Sequence, residues 1–243
     1  MRLIFIRHAE PDYINNTLTE KGFREAEILK PRVLKWKVDR FYTSPLPRAR
    51  LTAKPALDAL KREATIIPWI QEFYYPITDP TTGKKEQVPW DFMPEYWTKR
   101  DRFYDRNRWY EDDIFRTNPD YEPAVMNLRQ GLDDILRDYG YTRDGGMYLA
   151  DPEKTRDDDE TTVVFFAHLG ANMEAVGYLL GISPIVLQQT VYLAPTSVTI
   201  LNAEKRREGK AMFRAQCIGD VSHLLAAGEP VSAFGAFSGI HQS

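Results

Sequence analysis

The sequence predicts an α/β protein: a three-layer α/β/α sandwich on a mostly parallel central sheet, carrying a helical insertion. Short apolar runs alternate with helix-spaced patterns through the first seventy or so residues, which is the β-α-β-α-β order of a parallel sheet with helices packed on it. The most hydrophobic run, "TTVVFFAH" at 161–168, comes much later. Between them lies a stretch dense in aromatic and charged residues, so one domain, residues 1–243, is expected to carry 74–160 as an inserted helical lid or substrate wall.

The elements follow in order. Leu3 to Ile6 is four apolar residues in a row, as a buried strand requires, and it runs into Arg7, His8 and Pro11. In "LTEKGFREAEIL", Thr19 is placed to cap a helix with Glu20 in its first turn, and Pro31 should kink or end that helix. "RFYTS" at 40–44 is a second strand. "PRARLTAKPALDALKR" puts Ala49, Thr52, Ala53, Ala56, Leu57 and Leu60 on one helical face despite Pro55, and "ATIIPW" is a third strand. In the middle, "AVMNLRQGLDDIL" is patterned as a helix, and Trp97, Phe103 and Trp109 are expected to pack rather than touch a ligand. After "TTVVFFAH", a helix stops at Gly181, "TSVTILN" and "AMFRAQCIG" form a hairpin, and the small, turn-rich end is expected to be a loose tail.

Composition excludes several classes of function. The 243 residues are 43% hydrophobic, enough for a substantial core, and 32 basic against 35 acidic residues give a net charge of −3. Neither nucleic acid nor an anionic membrane surface is suggested as a partner. The apolar stretch "VVFFAHLGANMEAVGYLLGI" is interrupted by His168, Asn172 and Glu174, so it does not read as a membrane span. A single cysteine, Cys217, and an N-terminal apolar run too short for a signal peptide point to a reducing cytoplasm. Nothing in the sequence speaks to oligomeric state.

In an open α/β sheet, the loops at the carboxyl ends of the strands converge on one edge, where ligands bind. Arg7 and His8 follow the first strand, "SPLPRAR" with Arg48 and Arg50 follows the second, Glu72 lies beyond the third, and His168 ends the fourth. So many cationic donors repel one another unless an anion sits among them. Phosphate suits best, because guanidinium forks match its oxygens and a helix starting near Gly170 to Asn172 adds backbone donors. No H-E-x-x-H, cysteine cluster or carboxylate pair at ligand spacing marks a metal, so none is expected and no cofactor is implied. Each of these residues also has a bland reading, with Arg7 paired to Glu10 or Asp12 and His168 a satisfied core histidine.

"RHAEPDY", "LTEKG", "TSPLPRARLTA", "QEF", the histidine closing "VVFFAH" and the late "GDVSHL" together resemble the histidine phosphatase superfamily, in its phosphoglycerate mutase-like branch. The likeness covers about residues 1–73 and 161–225. It implies that His8 is the nucleophile that takes the phosphoryl group, that Arg7, Arg48 and His168 hold its oxygens, and that Glu72 protonates the leaving group. Asn15 carries over as a phosphate contact, displaced one position because Ile14 stands where the family has Asn. Arg50 falls on another side of its helix and reads as surface; His223 reads as structural near Asp220, and His241 as tail.

Two further departures are Ala9 and Leu169, where the family usually has Gly. Ala9 is harmless if its φ stays negative; Leu169 should narrow or redirect the pocket wall. The function implied is hydrolysis of a small-molecule phosphate monoester through a phosphohistidine, without metal. The alternatives are mutase-type phosphoryl transfer and a phosphate-binding regulatory module without turnover.

Overall fold

The computed structural model describes residues 1–236 and 238–242. Among them are ten strands and eight helices. The strands are β1 (Arg2–Arg7), β2 (Pro11–Asp12), β3 (Thr17–Leu18), β4 (Arg40–Thr43), β5 (Thr65–Ile66), β6 (Tyr141–Asp144), β7 (Met147–Ala150), β8 (Thr162–Ala167), β9 (Val198–Arg207) and β10 (Lys210–Asp220). The helices are α1 (Glu20–Leu34), α2 (Pro47–Leu60), α3 (Pro94–Trp97), α4 (Asp101–Tyr104), α5 (Tyr121–Asp138), α6 (Leu169–Leu180), α7 (Pro184–Thr190) and α8 (Ser222–Ala226).

Eight strands form one sheet in the order β5-β4-β8-β1-β9-β10-β7-β6. Because side chains alternate across a strand, each apolar strand feeds two cores. Leu3, Phe5, Val163 and Phe165 face α5, α6 and the aromatic segment, while Ile4, Ile6, Val164 and Phe166 face α1 and α2. Phe5 and Phe165 stack at 4.9 Å across the parallel register that pairs these two strands residue for residue. The three layers are therefore as the pattern requires.

The direction of the strands differs from expectation in one half. β5, β4, β8 and β1 run parallel, but β9, β10, β7 and β6 add to β1 antiparallel, so the sheet is mixed rather than mostly parallel. Nor do residues 74–160 form a separate helical unit. α5 packs as a layer on the sheet and the β6–β7 hairpin extends its edge, leaving short helices and turns over roughly 74–120.

Two other local expectations fail for identifiable reasons. Pro31 does not stop α1, which runs on to Leu34; it lies exposed in the last turns, where a missing N–H and a small bend are tolerated. The tail is not loose as far as it is described: Val231 and Ser232 are buried, and the Ser232 hydroxyl donates to Glu10 Oε2 at 2.5 Å. The expected third strand shrinks to two residues followed by a 3-10 turn at Pro68–Ile70. Thr19, Gly181 and the β9–β10 hairpin behave as read from the sequence. Among the described residues, no helix is long and apolar enough to cross a membrane.

Candidate active site

The parallel half of the sheet brings its carboxyl ends together. β1 delivers Arg7 and His8, the β4–α2 turn delivers Ser44 and Arg48, β8 delivers His168, and the stretch after the 3-10 turn delivers Glu72. Arg7, His8, Arg48 and His168 are all buried, the two histidines completely. The rings of His8 and His168 are 5.1 Å apart, and one donor atom from each, with a Glu72 carboxylate oxygen, lie within 4.8 Å of one another.

The hydrogen bonds decide what His8 can do. Its backbone N–H is tied to the Ala167 carbonyl at 2.9 Å, which fixes the residue to the neighbouring strand. Its Nδ1 lies 2.7 Å from the Ala9 carbonyl oxygen, an acceptor, so Nδ1 carries the proton and Nε2 keeps its lone pair. That Nε2 is buried and has no partner. Burial, reinforced by the positive charges of Arg7 and Arg48, holds the imidazole pKa well below its ordinary value, so the ring is neutral at neutral pH. His168 is held neutral by burial in the same way, with Nε2 against the Ser44 hydroxyl at 2.7 Å and Nδ1 unpartnered.

The two arginines are positioned without being neutralised. Arg7 donates to the Leu193 carbonyl, yet its Nε has no partner. Arg48 sits in the first turn of α2, the positive end of that helix's dipole, with its guanidinium 5.2 Å over the Tyr13 ring and its Nε unpartnered. An arginine has no electrostatic reason to be buried at a helix N-terminus unless an anion joins it.

Glu72 is clamped. Its Oε1 accepts from the Phe73 N–H at 2.9 Å and the Gly170 N–H at 3.0 Å. Burial raises its pKa despite those two bonds and the nearby arginines. The expected donation from the start of α6 to phosphate is thus replaced at Gly170 by donation to this carboxyl. The approach requires a glycine: a Cβ there would meet Trp90 Cζ3 at 2.7 Å and Glu72 Oε1 at 3.0 Å.

Of the residues singled out from sequence, His8, His168, Arg7, Arg48 and Glu72 are brought together, and Asn15 is not. Asn15 is exposed, and its side-chain amide and backbone N–H both serve Asp12 in a turn, at 2.7 and 3.0 Å. Glu10, a rival acid, has its two oxygens taken by Thr19 and Ser232. Arg50 is exposed and His223 is structural, as expected. Ala9 does not adopt positive φ, and Leu169 does form part of the wall. Ser44, Trp90 and Tyr192 escaped notice; only Ser44, inside "TSPLPRAR", lay in a stretch already suspected, while Gly170 was expected to donate to phosphate rather than to Glu72. Tyr74 is 57% exposed, and Phe73 and Trp90 meet Glu72 around Gly170.

A mixed sheet flanked by helices, with two neutral histidines and two guanidiniums without carboxylate partners at its parallel strand ends, defines the class: an α/β/α sandwich with a cationic cluster at one sheet edge. Within that class, residues 3–113 match the family model of the histidine phosphatase superfamily (branch 1). Solved structures share the fold. Phosphoserine phosphatase from Entamoeba histolytica is 18% identical, covers 92% of this chain and 98% of its own, and superposes with a TM-score of 0.56. A mycobacterial glucosyl-3-phosphoglycerate phosphatase is 17% identical over 90% and 98%, with a TM-score of 0.59. A putative alpha-ribazole-5'-P phosphatase from Escherichia coli is 15% identical over 90% and 96%, with a TM-score of 0.57. No curated protein matches the sequence.

Proposed function

We propose that the protein hydrolyses a small-molecule phosphate monoester through a phosphohistidine at His8. The observation that carries this is the buried, unprotonated and unpartnered His8 Nε2, in a ring near Arg7 and Arg48 that has a nitrogen within 4.8 Å of donor atoms of His168 and Glu72. The lone pair attacks phosphorus in line with the ester oxygen, forming N–P as P–O breaks; Arg7, Arg48 and His168 balance charge on the equatorial oxygens. Glu72, whose hold on a proton is strengthened by burial, is placed to give a proton to the departing alcohol. A water then attacks phosphorus, deprotonated by the Glu72 carboxylate, and phosphate leaves with His8 restored.

Acid-quenched turnover should trap an acid-labile, base-stable phosphoryl group on the peptide containing His8, and His8→Ala should lose nearly all activity. Label on a serine or aspartate peptide would overturn the mechanism.

We read the reaction as independent of metal. Two imidazole nitrogens and a carboxylate are also a zinc donor set, but two unneutralised guanidiniums beside them already supply the positive charge a metal would bring, and would repel one. Activity should survive excess chelator; loss restored only by zinc or magnesium would reverse this. The free thiol of Cys217 fits a cytoplasmic location, which we propose with it.

A further inference from the structure

Beside the cluster lies a cavity of about 180 Å³, bounded by Trp90, Leu169, Gln188, Tyr192 and Gly235 among others. It adjoins the chemistry on two sides. On one, a Cβ at Gly235 would lie 3.3 Å from an Arg7 guanidinium nitrogen. Leu169 and Trp90 flank Gly170, whose N–H holds Glu72.

Its walls have a definite chemistry. No residue lining it carries a charge, among those described. Two successive glutamines of α7 behave differently: Gln189 is used up, accepting from the Phe92 N–H at 3.1 Å and donating to the Pro89 carbonyl at 2.6 Å, which anchors the Trp90 segment. Gln188 is only 7% exposed and has no partner for either Oε1 or Nε2. A buried primary amide with both ends unsatisfied is costly unless something normally pairs with it.

We infer, resting on the phosphatase reading above, that this cavity receives the alcohol portion of the substrate. That alcohol is an uncharged body about the size of one ring, with a hydrogen-bond acceptor and donor on the edge that meets Gln188 and a face that lies on Trp90. The size follows from the volume, since an apolar cavity of roughly 150 Å³ holds a benzene ring. The neutrality follows from the walls: an ammonium finds no carboxylate among them, and a carboxylate would compete with the phosphoryl group for Arg7, the cation at the cavity's edge. Esters of small charged alcohols are therefore poor substrates, although a phosphoserine phosphatase shares the fold.

The test measures kcat/KM for four alkyl phosphates with similar leaving-group chemistry: a hexose 6-phosphate, cyclohexylmethyl phosphate, phosphoserine and 3-phosphoglycerate. The hexose ester should exceed both charged esters by about 100-fold, as expected for a site that must pair buried polar groups. Gln188→Leu should lower the ratio of hexose to cyclohexylmethyl ester by about 10-fold, the worth of roughly one buried hydrogen-bonded group. Gln188→Met is the second variant, and the wild-type ranking decides alone should neither fold.

Phosphoserine or 3-phosphoglycerate turned over as well as the hexose ester would overturn the inference, as would a ratio unmoved by substitution. p-Nitrophenyl phosphate, whose departure needs neither cavity nor acid, separates the two levels. Its hydrolysis without the predicted ranking refutes the cavity assignment alone; no hydrolysis of any ester refutes the phosphatase reading and this inference with it.

Discussion

At the carboxyl ends of β1, β4 and β8 the protein buries polar atoms and leaves them unpaired: Arg7 Nε, Arg48 Nε, His8 Nε2 and His168 Nδ1. Across the site, residues 74–120 are built mainly on apolar packing, with Trp109 Nε1 their one buried side-chain polar atom without a partner among the described residues. There Phe92, Phe103, Trp109 and Phe115 pack ring against ring, continuing to Tyr121, while charges such as Arg108–Glu111 and Arg116–Asp113 pair at the surface. Each buried unsatisfied group costs about 1–3 kcal/mol, so the first region is held in a state it would not choose alone. The second supplies apolar burial of the kind that offsets it. Chemistry and stability are thus drawn from opposite walls, and substitutions in the two should fail in opposite ways.

The largest separation is expected at Glu72. Glu72→Gln keeps the shape and an oxygen able to accept from Phe73 and Gly170 but cannot donate a carboxyl proton. Turnover of an alkyl phosphate should fall by on the order of 100- to 10,000-fold, roughly 3 to 5 kcal/mol of barrier, with little change in melting temperature. With p-nitrophenyl phosphate the loss should shrink, because that alcohol leaves without a proton. Equal losses on both substrates would reduce Glu72 to a wall of the pocket and erase its part in the contrast.

The complementary failure is expected at Trp109, which is fully buried and meets Phe115 and Tyr121 edge to face at 5.0 and 5.9 Å. Trp109→Ala should cost about 3–5 kcal/mol of stability, or on the order of 10 °C in Tm for a chain of this size. Activity per folded molecule should change far less. Were residues 74–120 a lid moving apart from the core, the same substitution would alter KM and leave Tm in place.

What could be read from sequence divides along the same line. Arg7, His8, Arg48, Glu72 and His168 were legible because parallel strands carry their next residues to one edge whatever the details of packing. Asn15 was misplaced because a short turn captured its amide through Asp12, a local competition that spacing does not reveal. Gln188 was invisible, and Gly170 legible only as a donor to phosphate, for the opposite reason. Their roles depend on which side chain a distant segment brings against them, Trp90 for one and the cavity for the other. The antiparallel half was missed at β6 and β7, where "YTRDGGMYLA" turns through Gly145 and joins the edge of a sheet whose nearest strand lies some sixty residues later.

The smallest of these effects concerns acid. The site side of the molecule depends on buried neutral histidines, and residues 74–120 contain no histidine. His223 is the measurable case: it bonds Thr196 through Nε2 at 3.1 Å, and the Thr196 N–H in turn holds the carbonyls of Arg7 and His8. Burial, with Arg32 beside it, lowers the His223 pKa to about 4. Between pH 6.5 and 4 the unfolded chain therefore binds a proton that the folded chain refuses. The contribution to stability is full above pH 6.5 and is lost as pH falls toward 4, by about 3 kcal/mol over the whole window, with His8 and His168 acting in the same direction. His223→Gln keeps a side chain able to bond Thr196 and has nothing to titrate. Its urea midpoint should fall less than the wild type's between pH 7 and pH 4.5. Parallel declines would mean that acid acts through the carboxylates spread over the whole surface, and the two walls would then be equally sensitive to it.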